Sequence, residues 1–309
     1  MKTFQKQVVT HQLTLLVAVS LAIVFWTIAL LLHPMADLRE TIGAFALYAI
    51  VGYLLIVLNK TFAIIRLRAS IQTVIFLVLA AILPDTHLIY PGIIMTLCYL
   101  VGLFFFFNSY QLERPAGLLF HAFIFWGISS LFVPKIIWLF PFIWYACFTF
   151  RSLSVKSFIA SLFGWSLPIG VFAAYAFWKG DFSAFTNKVI EAVAIEIPTS
   201  LDFLWPFVVT LFYLLIIFIV SSAHSLKTSL DEKVQARNYL HHIITVTVVL
   251  FILIGTMPSD YELLLPLMVM NVSILYGHFS AIANTKWSNI FFICSLVCLV
   301  PVFIVNLLF

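Results

Sequence analysis

Charge is what this sequence most lacks. Asp, Glu, Lys and Arg make up 9% of its 309 residues, where a soluble domain carries about 25%. An apolar excess of this size cannot be hidden in a water-soluble core. Glycine is scarce too, at 11 residues, and no Gly-rich phosphate loop can be assembled from them. No nucleophile elbow and no metal-spaced His/Cys cluster is present, so no cofactor and no metal ligand set is read from the sequence. The four cysteines, Cys98, Cys147, Cys294 and Cys298, all fall inside apolar runs and read as packing residues. The net charge is +4, yet no basic run exists, which excludes a nucleic-acid footprint. The first apolar run is as long as a true span and lacks a small-residue cleavage site, so no cleavable signal peptide is expected.

What is abundant is apolar length. Hydrophobic residues reach 64%, with 33 Phe and a mean hydropathy of +1.15. The stretch from Pro115 to Phe150 holds one charge, Lys135, in 36 residues. As one helix it would run about 54 Å, against a hydrocarbon core of ~30 Å. It therefore reads as two spans hinged at Val133-Pro134-Lys135, because proline breaks a helix and a buried lysine needs water or a partner.

Extending this along the chain predicts an all-α, polytopic transmembrane bundle of about eleven spans, forming a single integral membrane domain over 1–309. The spans fall near 12–32, 43–58, 70–83, 89–107, the two halves of the hairpin, 157–178, 203–222, 243–257, 263–282 and 287–308. With the N-terminus inside, twelve Lys and Arg lie in inner loops. Only Arg39, Lys135, Lys179 and Lys188 lie outside. This positive-inside bias places the C-terminus outside. Nine of the twelve acids fall on the outer side; they mark either an outward-facing acidic site or the ordinary polarity of loops. Between 182 and 197, Phe182, Phe185, Val189, Ile190, Val193 and Ile197 alternate with Lys188, Glu191 and Glu196 at helical spacing. This predicts an outer amphipathic helix, lying on the membrane surface or packed on the protein. His121 and His278 lie within spans, as functional groups by default or as hydrogen-bonded packing residues.

The candidate site residues gather at the outer ends of spans. His33, Asp37, Arg39 and Glu40 follow the first span, Asp85 and His87 the third. Lys135 tips the hairpin, and Asp260 and Glu262 precede the tenth span. Carboxylates here, Asp37, Glu40 and Asp85, are of the type that takes a proton from an acceptor. Arg39 and Lys135 are of the type that neutralises a phosphate. Capping of helix ends and snorkelling at the interface are the alternative uses of each single residue.

The order of these features resembles the GT-C class of membrane glycosyltransferases, which use polyprenyl-phosphate sugars. An acid follows the first span (Asp37 or Glu40). A Pro-ended third span leads into Leu83-Pro-Asp-Thr-His87, a hairpin carries the tip Val133-Pro134-Lys135-Ile136, and a late span opens with Asp260-Tyr-Glu-Leu-Leu-Leu-Pro266. The chain is also similar, over nearly its whole length, to an uncharacterised family of bacterial polytopic inner-membrane proteins. The GT-C resemblance implies sugar transfer from a lipid-linked donor at the outer face of the inner membrane. Asp37 would be the base, assisted by Glu40 or Asp85. Lys135 and Arg39 would hold the phosphate, and His33, His87, Asp260 and Glu262 would complete the substrate contacts. The implied partners are membrane lipids and a polyprenyl-phosphate sugar. GT-C enzymes are usually larger and often carry a soluble outer domain, which this sequence lacks; a non-catalytic subunit bound to other membrane proteins is the alternative. A transporter is a third reading, disfavoured by the near absence of ionisable groups within the spans.

Overall fold

A computed structural model describes residues 4–11, 13–32, 38–66, 70–87, 90–194 and 205–308. Among them are thirteen α-helices joined by short turns, with no strands. They are α1 (Phe4–Thr10), α2 (Thr14–Leu32), α3 (Leu38–Phe62), α4 (Ile71–Ala81), α5 (Tyr90–Asn108), α6 (Ala116–Phe132) and α7 (Phe140–Thr149), followed by α8 (Val155–Lys179), α9 (Ser183–Val193), α10 (Trp205–Lys227), α11 (Val234–Thr256), α12 (Tyr261–Ile282) and α13 (Lys286–Leu308). Eight are long and apolar enough to cross a membrane: α2, α3, α5, α8, α10, α11, α12 and α13. The chain is a multi-pass membrane protein on this ground.

The other three expected spans are shorter, for separate reasons. The 11-residue α4 is about 16 Å long. Ten of its residues are buried, so protein surrounds it and it need not meet lipid at both ends. The 17-residue α6 is about 26 Å long. It stops at Phe132 because Val133 is extended (φ −132°, ψ 92°), as the residue before a proline tends to be. A 3-10 segment, Pro134–Leu139, then adds about 12 Å to the 10-residue α7. The predicted hinge is therefore a real helix break. The Gln111 N–H donates to the Phe150 carbonyl at 3.0 Å, which returns both ends of the hairpin to one side of the bundle.

Two helices run further than the hydrophobic runs suggest. α10 continues to Lys227, and α11 begins at Val234, nine residues before Ile243. The polar stretch His224–His242 is thus largely helical. A helix can carry polar residues past the hydrocarbon edge at little cost, because its backbone is already hydrogen-bonded.

α12 is the axis. Within its crossing window 94% of residues are buried, against 22% for α2, 22% for α8 and 28% for α13. It packs against α4, α5, α10 and α11. The hairpin docks onto α8 through close backbone approach. The Gly127 position faces the Trp165 carbonyl and Gly164 faces that of Phe120, at distances that leave no room for a Cβ. Small residues at such crossings are the usual membrane solution, since lipid provides no hydrophobic force between helices.

Contacts sort the turns into two ends. The loops around 59–66, 109–114, 150–154 and 228–233 share one end with α1, joined by Arg66–Glu232, Gln111–Phe150 and Gln5–Ser280. The turns at 84–87, 134–139 and 258–260 share the other with α9, joined by Lys135–Asp260 and Trp138–Ala192. The first end carries most of the Lys and Arg and is called the basic end below; the second is the rim.

Candidate functional site

The rim is built where α12 begins. Pro258–Asp260 forms a 3-10 turn that delivers Asp260 to the first residue of α12, and Glu262 follows in its first turn. Carboxylates are favoured there by the exposed N–H groups of the helix end. The hairpin tip lies opposite, and Lys135 forms an ion pair with the Asp260 carboxylate. Lys135 is 3% exposed, so the lysine that the sequence left needing water or a partner finds a partner. Ser259 Oγ lies 3.5 Å from the same Asp260 oxygen.

The remaining rim candidates scatter. Arg39 and Glu40 stand exposed in the first turn of α3. His87 ends the 3-10 turn Pro84–His87, which packs against the bundle around α12. Its ring faces inward: it is 3% exposed, stacks on Trp26 with centroids 3.7 Å apart, and places Nε2 3.1 Å from the Ala80 carbonyl oxygen. Burial pushes its pKa down to about 4, against the opposing pull of the Ala80 bond, so the imidazole is neutral at pH 7. Trp26, the ring it stacks on, is buried in the second half of α2. Asp85 shares that turn, but its side chain, together with His33 and Asp37, lies outside the described residues.

Next to the hairpin tip is an apolar groove of about 180 Å³. Pro134 and Ile137 form one side, Trp165 and Phe172 of α8 the second, and Phe185 and Val189 of α9 the third. Lys188 of α9 also lines it and pairs with Glu191 at 3.3 Å. α9 is the amphipathic helix foreseen over 182–197; its tail beyond 194 lies outside the described residues. Trp138 Nε1 donates to the Ala192 carbonyl at 3.1 Å and Phe185 and Val189 roof the groove, while Ile190 and Val193 stay exposed.

The sequence missed a second charged site, at the basic end. Arg66 Nε donates to Glu232 Oε2 at 2.8 Å, and Glu232 Oε1 lies 3.7 Å from His278 Nε2. The Glu232 side chain is 3% exposed and His278 is fully enclosed in α12. His224 of α10 stands close by, edge-on to Phe279. In the sequence Arg66 and Glu232 are ordinary loop charges 166 positions apart. The one legible signal was a histidine, His278, inside a span. His121 differs: it is exposed on α6, bonded to its own Gly117 carbonyl and stacked on Phe105. Among the described residues no three His, Cys, Asp or Glu side chains converge as a metal site.

No family model matches the chain, and no curated protein or solved structure matches it.

Proposed function

We propose that this multi-pass protein binds a lipid-linked phosphate at its rim and transfers the attached sugar, as a GT-C-like glycosyltransferase at the outer face of a bacterial inner membrane. The observation that carries the reading is the adjacency of an apolar groove, a lysine on its lining and a second lysine at the same hairpin tip. A polyprenyl phosphate has those two needs: a slot for the chain and cations for the phosphate. The groove under α9 takes the first isoprene units, and Lys188 meets the phosphate. Lys135 reaches the phosphate by exchanging it for Asp260, which preserves charge neutrality. Asp37, with Glu40 or Asp85, accepts the proton of an acceptor hydroxyl. The acceptor oxygen bonds to the sugar C1, the C1–O bond to the phosphate breaks, and the polyprenyl phosphate leaves with that electron pair. The test is a mass-spectrometric profile of lipid-linked sugars and envelope glycans in a deletion strain. A missing sugar restored by wild type, and not by Asp37→Asn or Lys188→Ala, is expected. An unchanged profile refutes the reading.

A second reading, a non-catalytic subunit of an envelope complex, is favoured by the small size of the rim. Its longest described element outside the crossing helices is the 11-residue α9, which leaves little to hold an acceptor. Here both variants rescue the deletion strain, and a partner copurifies in mild detergent.

A further inference from the structure

A cleft of about 230 Å³ opens near the basic end, away from the rim groove. One wall is α7, with Tyr145 and Thr149; the other is α11, with Asn238, His241 and His242; Leu226 of α10 borders it. Tyr145, Thr149 and His241 are exposed along it, so it opens sideways from the bundle. Its polar groups are graded along the bundle axis. Asn238 and His241 belong to the first two turns of α11 and Thr149 to the last turn of α7, all toward the basic end. Phe142 and Ile244, deeper along the same walls, are apolar, and the Thr245 hydroxyl beside them is taken up by the His241 carbonyl at 2.9 Å. A polar end that grades into an apolar one suits an amphiphile with its head at the membrane surface and its chain inward.

The polar end has donors to spare. His242 is 3% exposed, and its Nε2 lies 3.4 Å from the Tyr99 hydroxyl. When that hydroxyl donates to Nε2, the ring proton sits on Nδ1, which has no partner. The Asn238 amide reaches the Tyr110 hydroxyl only at 3.4 Å. Arg237 lies one turn below His241 on the same helix, and Lys227 follows Leu226. No carboxylate lines the cleft. Neutral donors backed by cations, with no acid, select an anion over a zwitterion.

We propose that this cleft is a headgroup site for an anionic phospholipid of the leaflet at the basic end. Asn238 and His241 hold the phosphate oxygens, Arg237 supplies the charge, and the acyl chain follows Phe142 and Ile244. The site lies at the opposite end from the rim and does not depend on the function proposed there.

The test is native mass spectrometry of the detergent-solubilised protein titrated with phosphatidylglycerol, phosphatidylcholine or inorganic phosphate. Wild type is expected to hold one phosphatidylglycerol at least tenfold more tightly than phosphatidylcholine. N238L/H241L, one half-buried and one exposed change, lowers that affinity at least tenfold. Tyr145→Phe, which removes one hydroxyl, keeps the chain folded and lowers it severalfold. Lys179→Ala, an exposed change at the other end, leaves it unchanged. Equal binding of the two lipids, or wild-type affinity in N238L/H241L, overturns the proposal. So does inorganic phosphate binding as tightly as phosphatidylglycerol, which would make the ligand a soluble anion.

Discussion

Glu232 should hold the basic end together through its buried carboxylate. Its side chain is 3% exposed and accepts a hydrogen bond from Arg66 at 2.8 Å, while the enclosed His278 lies 3.7 Å away, beyond hydrogen-bond distance. Breaking a buried pair by removing one member costs about 3–5 kcal/mol, because the other charge is stranded. Arg66 is half exposed, however, and can turn to water, so its share falls toward the ~0.2–1 kcal/mol of a surface pair. His278, enclosed in α12, makes no hydrogen bond to Glu232, so little is stranded there when the carboxylate is removed. Glu232→Gln keeps the shape and one acceptor and should cost about 1–2 kcal/mol. Glu232→Leu removes both acceptors and should cost about 2–4 kcal/mol. In thermal unfolding of the detergent-solubilised protein this is a loss of roughly 2–4 °C per kcal/mol. A double-mutant cycle of Glu232→Gln with Arg66→Met should return a coupling of about 0.5–1 kcal/mol, and the same cycle with His278→Asn a smaller one. If the histidine coupling exceeds the arginine coupling, hydrogen-bonded contact is not what sets the energy, and the argument fails.

Three further outcomes follow from the same geometry. Asp260→Asn strands Lys135, which is 3% exposed, and should destabilise by about 3 kcal/mol, while adding Lys135→Met should recover most of the loss; a cycle without recovery would show that the pair is not coupled. His87 is near 6.5 when unfolded and about 4 when folded, so the unfolded chain takes up its proton first as pH falls. Stability should drop between about pH 6.5 and pH 4 by up to about 3 kcal/mol, and His87→Gln should flatten that slope in melting curves. Gly164→Ala would place a Cβ 2.4 Å from the Phe120 carbonyl oxygen and force α6 from α8, for a loss of about 1–3 kcal/mol. Gly170→Ala, on the same helix in open space, should be neutral or slightly stabilising; equal melting temperatures for the two variants would contradict the packing.

The helices were legible because their signals are local. The break at Val133-Pro134 follows from one proline, and the helical face of Phe185, Val189 and Lys188 from spacing alone. The rim was legible only as a collection of charges near span ends. Lys135 and Asp260 sit 125 positions apart, and their pairing depends on which turns meet. His87 shows the opposite failure. Placed on the rim with Asp85, it has its ring turned inward and stacked on Trp26, which is far away in sequence. Glu232 and Arg66 gave no local signal, since a loop charge reads as solvated until a buried histidine is found beside it.

The sequence by itself determined that this is a helical membrane protein, where its apolar segments begin and end, and where the hairpin breaks. Run length against bilayer thickness and proline against helix geometry need no partner to take effect. Tertiary structure decided that α12 is the axis, that α9 roofs a groove, and that Glu232 and Asp260 are bound rather than solvated. Apolar helices look alike to lipid. Which of them moves to the centre depends on the fit of backbone against backbone, as at Gly127 and Gly164, and on the few polar side chains whose partners lie a hundred or more residues away.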